Sequence, residues 1–417
     1  MIGISVGLGN VWRFPYMMGE YGGSAFLFVY LIFTIFFAVP AVMAEWSLGR
    51  STRQGPVGAF TAMFGKRSGL IIGCLLLLTV LVAESYYIYV ISNIGYSTFF
   101  STLNGFDTST IQVYNNYLND PSLQYVICAL LLALSYIIIT KGLKKGIESV
   151  SKLFVPFFLI VMLFLIGFAL SLEGTYNNLI AFLTPNFSEL RATQIFAALG
   201  QSFFSLGLGG TFLVVFGSYL RTDENLVTSS IFVAFGDVGA AIMAGLFIVP
   251  TVLALHLDMS QGPGLLFATL PELFQRLPYG QIIGSLFLLA LFAVTFISSL
   301  AAIEVLIAGI GDSFAKNLSR KRLALYIIMA ISVILIPITI KPSIIGTLDL
   351  IFGSGMQVLG SLLALLAVAW GQKRAKMLKS IFGEINKKWH ILYYYWIKYC
   401  LPAVLLSVFI GYIISKI

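Results

Sequence analysis

Residues 5–9 read Ser5-Val6-Gly7-Leu8-Gly9, and 200 positions later Ser205-Leu206-Gly207-Leu208-Gly209 repeats four of those five residues and adds Gly210. Each motif lies in an apolar stretch, 1–16 or 194–219, where glycine costs about 1 kcal/mol relative to alanine if the helix stays wound. A single cluster of this kind is explained by small residues at a helix contact. A matching pair, each in the opening stretch of one half of the chain, points to two helices unwound at mid-membrane and to an internal repeat. Unwound backbone there offers carbonyl oxygens to a cation, and half-helix N-termini to a carboxylate.

The composition around the motifs defines their environment. Of 417 residues, 59% are apolar by type and only 10% are charged, whereas soluble chains carry about a quarter charged residues. That balance excludes a soluble enzyme, a DNA-binding module and a disordered chain. At about 20 apolar residues per crossing, the stretches 1–16, 24–46, 70–100, 123–140, 152–172, 194–219, 229–255, 281–311, 323–340, 345–370 and 392–415 give eleven spans. The expected class is an all-α polytopic membrane protein with short connections. Span 1 has few residues ahead of its glycines and no basic flank, so it reads as a helix truncated in its N-terminal half. A signal peptide is not expected, because Arg13 follows the apolar stretch rather than preceding it.

The net charge of +8 is distributed by topology. Arg50, Arg53, Lys66, Arg67, the group Lys141 to Lys152, Arg221, the group Lys316 to Arg322 and the group Lys373 to Lys388 supply 19 of the 25 Lys and Arg, all in alternate connections. By the positive-inside rule these connections and the N-terminus are cytoplasmic, and no nucleic-acid partner is needed to explain the charge. Cys74, Cys128 and Cys400 lie in apolar runs and His256 is far from His390, so neither a disulfide nor a transition-metal site is expected. The basic, amphipathic linker 373–391 suits the inner membrane surface and a solvated loop equally well.

Longer stretches carry a family resemblance. Gly7-Leu8-Gly9-Asn10-Val11-Trp12-Arg13-Phe14-Pro15-Tyr16, then Glu20-Tyr21-Gly22-Gly23 and Glu45-Trp46-Ser47-Leu48-Gly49-Arg50, closely resembles the neurotransmitter:sodium symporter family, particularly its bacterial eleven-helix amino-acid transporters. The likeness continues through Ser85-Tyr86-Tyr87, Lys141-Gly142, Gly146-Ile147-Glu148, the stretch Gly200 to Ser205, Gly262-Pro263-Gly264 and the residues after it to Pro271, and Asp349. It therefore covers essentially the whole chain. The resemblance implies a LeuT fold in one transmembrane domain: residues 1–172 and 193–372 as inverted five-helix repeats, helices 1 and 6 broken around the substrate, and 373–417 as a linker with accessory helix 11. It also implies a cell (inner) membrane location, a lipid bilayer as the surroundings and a monomer or weak homodimer.

The same resemblance places the substrate carboxylate on the break of span 1 and on a tyrosine hydroxyl, beside a sodium ion; Ser5, Gly7, Leu8, Gly9, Tyr87 and Ser205 match these positions. Monoamine carriers of the family have an aspartate where this chain has Gly7, so an amino acid that brings its own carboxylate is favoured over a biogenic amine. The matching wall residues are Ala83 and Tyr87 on span 3, Phe204, Gly207 and Gly210 on span 6, and Ser298, Ser299 and Ala302 on span 8. Gly210 and Ala302 in particular leave room for a bulky hydrophobic or aromatic ligand, because an unfilled apolar cavity is costly. Glu84 departs from the family's apolar residue. A charge at the bilayer centre costs about 2.5–3.5 kcal/mol, which makes such a group functional by default; a direct substrate role, a protonated carboxyl and a contact with a neighbouring helix all stay open.

For the first sodium site the resemblance implies the Ser5 carbonyl, the Asn10 side chain and Ser205, with Gly236 at the usual position of a helix 7 amide donor and Asp237 beside it. Asp237 can supply the missing oxygen, and its charge can replace the chloride used by some relatives, so that chloride is not required. The second site is implied at the carbonyls of Gly3, Val6 and Val294 with the Ser298 hydroxyl, while Ile297 stands where a hydroxyl or carboxylate is usual. Arg13 and Asp349 match an extracellular gate pair, and Asp312 an inner gate carboxylate whose basic partner lies in an N-terminal tail. The leading expectation is a sodium symporter importing amino acids by alternating access, with no organic cofactor and no covalent chemistry. The rival is a non-transporting amino-acid-binding or sensor protein on the same fold, suggested by the short first span, Gly236 and Ile297. A channel ranks third, since the ionisable residues are isolated and form no continuous polar ring.

Overall fold

In the computed structural model, which describes residues 2–257, 265–383 and 388–414, span 1 is a helical turn at Ile2–Ser5 that opens at Val6 and Gly7. It resumes through a π-helical turn, Gly9–Arg13, into helix Phe14–Glu20. Pro15, which has no N–H to donate, directly follows that π-helical turn, in which the Phe14 N–H bonds the Gly9 carbonyl. Span 6 shows the same interruption. Helix Ala192–Ser205 stops, Leu206 to Thr211 run without helical structure, and helix Phe212–Tyr219 follows. Gly207 and Gly210 take φ of +67° and +72°, left-handed backbone that a side chain would strain, so glycine is what the break requires.

The other spans are uninterrupted: Ser24–Thr52, Lys66–Leu103, Pro121–Ile139, Leu143–Leu170, Leu226–Ala254, Gly280–Ser313, Arg320–Ile340, Pro342–Gly371 and Lys388–Gly411, numbered 2–5 and 7–11 in chain order. With the two broken helices they account for the eleven stretches expected from hydropathy, although span 3 extends several residues beyond 70–100 at both ends. The connections are less plain than expected, since Pro56–Phe64, Ile111–Leu118, Thr175–Leu183, Leu270–Arg276 and Arg374–Phe382 are short helices. Gly262-Pro263-Gly264 lies outside the described residues.

Two contacts set the core. Spans 3 and 8 pack along each other's length, and the second half of span 6 packs on span 2. The latter contact depends on glycine: a Cβ on Gly49 would lie 1.9 Å from the Val214 carbonyl oxygen, and one on Gly217 would lie 2.7 Å from that of Trp46. Backbone meets backbone there, the arrangement small residues permit between membrane helices. Helix Arg374–Phe382 folds back onto the bundle, burying Met377, Leu378 and Ile381. Ser380 accepts a hydrogen bond from Ser47 at 3.0 Å, and its carbonyl accepts one from the Arg50 guanidinium. This helix is thus held by protein, while Lys373, Arg374, Lys376 and Lys379 stay exposed.

On span 5, Gly146 and Pro156 sit in wound helix, the first within the π-helical turn Leu143–Ile147. A Cβ on Gly146 would approach the Ile138 carbonyl oxygen to 2.2 Å, so close packing alone accounts for that glycine.

Candidate functional site

Both breaks are held by buried side chains that do not belong to them. Glu45 on span 2 accepts the backbone N–H groups of Gly209 and Gly210 at 3.1 and 3.0 Å, one on each carboxylate oxygen. Gln201 on span 6 donates to the Gly9 carbonyl at 3.0 Å. Unpaired backbone in a membrane interior is costly, and these two residues satisfy three of the groups that unwinding exposes.

A cavity of about 220 Å³ lies where the breaks meet spans 3, 8 and 10. Of the residues singled out in the sequence, Ser5, Gly7, Leu8, Gly9, Asn10, Ala83, Glu84, Tyr87, Phe204, Ser205, Gly207, Ser298 and Ala302 line it. One polar end of it lies at Gly7, whose Cβ, were there one, would stand 3.0 Å from the Ser298 hydroxyl and 3.3 Å from that of Tyr87. Any larger residue at position 7 would occupy the space between those two hydroxyls.

Gly210 is a correction. It does not line the cavity; a Cβ there would meet the Gly360 carbonyl at 2.8 Å, Phe60 at 3.1 Å and Leu76 at 3.3 Å. The room attributed to Gly210 is filled by span 10 and helix Pro56–Phe64. The small residues that do line the cavity are Ala83, Gly207 and Ala302. Residues that the sequence reading missed complete the wall: Thr79 and Val80 on span 3, Phe212 and Phe216 on span 6, and Phe352 and Gln357 on span 10. None of them has an unusual composition around it, so no sequence signal pointed to them.

Beside the cavity, Asn10 donates from its amide nitrogen to Ser205 Oγ at 3.0 Å, to the Asp237 carbonyl at 3.0 Å and to Asp237 Oδ1 at 2.8 Å. Its amide oxygen accepts the Gly7 N–H at 2.9 Å, which ties the group to the first break. Three oxygens therefore converge on one point, now filled by the amide N–H donors, and Asp237 Oδ2 is fully buried without a hydrogen-bond partner. Such an acceptor-rich cluster fits a small hard cation. Asp237 itself, rather than Gly236, faces Asn10 and Ser205. Neighbouring helical residues point about 100° apart, so the two cannot share a direction, and Gly236 has no side chain to offer. Tyr30 on span 2 also reaches this cluster, a residue with no sequence signature.

Across the first break, Ser298 Oγ lies 3.1 Å from the Val6 carbonyl and 3.2 Å from that of Val294, to both of which its hydroxyl is directed. Ile297 is fully buried and has no side-chain oxygen. Gly3 packs against span 5, where a Cβ would come within 2.8 Å of Val155.

The expected gate pair is not closed as an ion pair. Among the described residues no salt bridge joins Arg13 to Asp349; the Arg13 guanidinium stacks 4.6 Å above the Phe204 ring, and Asp349 accepts the Tyr86 hydroxyl at 3.1 Å. Tyr86 and Phe204 both line the cavity, so each charge caps it through an aromatic ring. Asp312 accepts the Gly55 N–H at 2.9 Å and caps helix Pro56–Phe64. It lies at the basic-loop end, outside the cavity lining.

The chain is similar to known proteins over most of its length. The model of the sodium:neurotransmitter symporter family matches residues 1–110 and 101–416. The chain is 25% identical to the uncharacterized sodium-dependent transporter YhdH of Bacillus subtilis over 99% of its own length and 94% of that protein. It is 30% identical to an uncharacterized sodium-dependent transporter of Haemophilus influenzae over 74% of its own length and 71% of the relative's. Among solved structures, that of MhsT in complex with L-phenylalanine superposes with a TM-score of 0.88 at 30% identity, covering 99% of this chain and 96% of the other.

Proposed function

The chain belongs to the sodium:neurotransmitter symporter family, and from that premise we propose that it imports large hydrophobic or aromatic amino acids with sodium by alternating access. It is a multi-pass membrane protein and a sodium-coupled transporter of a small molecule, not an enzyme. The observation that carries the finer reading is the cavity itself. It joins a polar head at Gly7, Tyr87 and Ser298 to a chamber bounded by Val80, Ala83, Phe212 and Ala302. A cavity of about 150 Å³ suffices for benzene, so 220 Å³ supports an aromatic side chain joined to a zwitterionic head. MhsT, one structural relative, was solved in complex with L-phenylalanine.

In this reading residues 1–172 and 193–372 are the two repeats, and 373–417 is the accessory part. The cluster of Ser5, Asn10, Ser205 and Asp237 holds one sodium ion next to the substrate carboxylate. The Gly3, Val6 and Val294 carbonyls with Ser298 hold a second ion more weakly, because Ile297 withholds an oxygen. The Asp237 carboxylate supplies the anion that balances the first ion, so chloride is not required. Arg13 and Asp349, through Phe204 and Tyr86, close the outer end; Asp312 belongs to the inner end, where the basic loops and the N-terminus face the cytoplasm. The protein works in the inner membrane as a monomer or weak homodimer.

Competition for sodium-dependent binding tests the size of the chamber. Tryptophan, tyrosine, phenylalanine and leucine are expected to displace label better than alanine or glycine. Ala302→Phe should fill the chamber and weaken phenylalanine by at least about tenfold while sparing alanine. Tight binding of glycine or alanine with exclusion of aromatics contradicts the reading.

A further inference from the structure

Glu84 is 2% exposed and is the only carboxylic side chain among the described residues lining the cavity. Val80, one turn back on the same face of span 3, is apolar, as are the cavity-lining Ala83 and Ala302. The Ser299 hydroxyl donates to its Oε1 at 2.5 Å. A carboxyl group has several acceptor positions, and one hydroxyl uses only one of them. A carboxyl placed in an apolar chamber at such cost is retained where something else comes to meet it.

Its position says what that is. Glu84 precedes Tyr87 by three residues and Ala302 follows Ser298 by four, so on antiparallel spans both lie one turn, about 5 Å, nearer the basic-loop end than the polar head. That separation is comparable to the distance from the α-carbon of an aromatic amino acid to the far edge of its ring. We propose that Glu84 is a specificity-determining residue that accepts a hydrogen bond from a donor at the tip of the substrate side chain, a phenol hydroxyl or an indole N–H. The proposal rests on the reading of the cavity as an aromatic amino-acid site. It also narrows that reading: when phenylalanine fills the chamber, Glu84 faces a ring edge that cannot donate, and the unmet acceptor disfavours the complex.

The test uses the full-length protein in proteoliposomes and labelled phenylalanine as the displaced probe. On the native protein, tyrosine is expected to compete at least about tenfold better than phenylalanine, and O-methyl-tyrosine, which keeps the oxygen but has no donor, should lose that advantage. Glu84→Leu should bring the tyrosine-to-phenylalanine ratio close to one, and Glu84→Gln, which keeps an acceptor carbonyl, should retain part of it. Equal competition by tyrosine, O-methyl-tyrosine and phenylalanine overturns the assignment on the native protein alone, whether or not the variants fold. An unchanged ratio in Glu84→Leu overturns it too, as does lysine outcompeting tyrosine, which would make Glu84 a cation site. Failure of every aromatic amino acid to bind is a different result: it removes the aromatic reading on which the proposal stands.

Discussion

Asn10→Ala is expected to lose sodium affinity and substrate affinity together, each by roughly ten- to a hundredfold. The side chain joins four partners in one place: the Gly7 N–H, the Ser205 hydroxyl, and the carbonyl and carboxylate of Asp237. Removing it releases the first break from the acceptor cluster and leaves a buried carboxylate with fewer donors, which costs more than the bonds themselves. A residue serving helix packing alone would lower stability without linking the two affinities. The measurement is equilibrium binding of labelled amino acid in sodium and in potassium, for both proteins. If substrate binding to the native protein were the same in potassium, or the variant kept its sodium response, the shared-site account would be wrong.

Removing chloride should leave the native protein unaffected, and Asp237→Asn should create a need for it. Asp237 is fully buried beside Asn10, Ser205 and Tyr30, with one carboxylate oxygen lacking a hydrogen-bond partner. A unit charge about 4 Å from an ion, at an effective dielectric near 20, is worth about 4 kcal/mol. Deleting it while keeping the oxygen should therefore reduce sodium-dependent uptake in gluconate by more than about a hundredfold. Chloride should restore a substantial part. A native protein that stops transporting in gluconate eliminates the idea, and so does a variant equally active in both salts.

The breaks were legible because their signal is local: glycine is unfavourable in a helix wherever the rest of the chain lies, and two matching clusters raise the same alarm twice. The clamps show where that legibility ends. Glu45 and Gln201 read from the sequence as polar groups standing near the breaks, but only folding reveals that one holds the Gly209 and Gly210 N–H groups and the other the Gly9 carbonyl. Direction was harder still. Gly210 belongs to the right loop, yet its left-handed backbone carries it against Gly360 instead of into the cavity. Asp237 and Gly236 differ by one position, and a 100° rotation decides which of them meets Asn10. Arg13 and Asp349 invited pairing by the rule that buried charges are paired. Phe204 and Tyr86 meet them instead, and a π face or a phenol hydroxyl satisfies a charge without leaving any mark in charge patterning. The contribution of span 10 to the cavity was invisible because it arises wholly from tertiary contact.

Accumulation of labelled tyrosine or phenylalanine in proteoliposomes, driven by an inward sodium gradient, separates coupled transport from binding alone. Uptake is expected to rise above the equilibrium level, to collapse when the sodium gradient is dissipated and to be suppressed in Asn10→Ala. Binding of the amino acid with no accumulation under the gradient, or accumulation that persists in potassium alone, would contradict it.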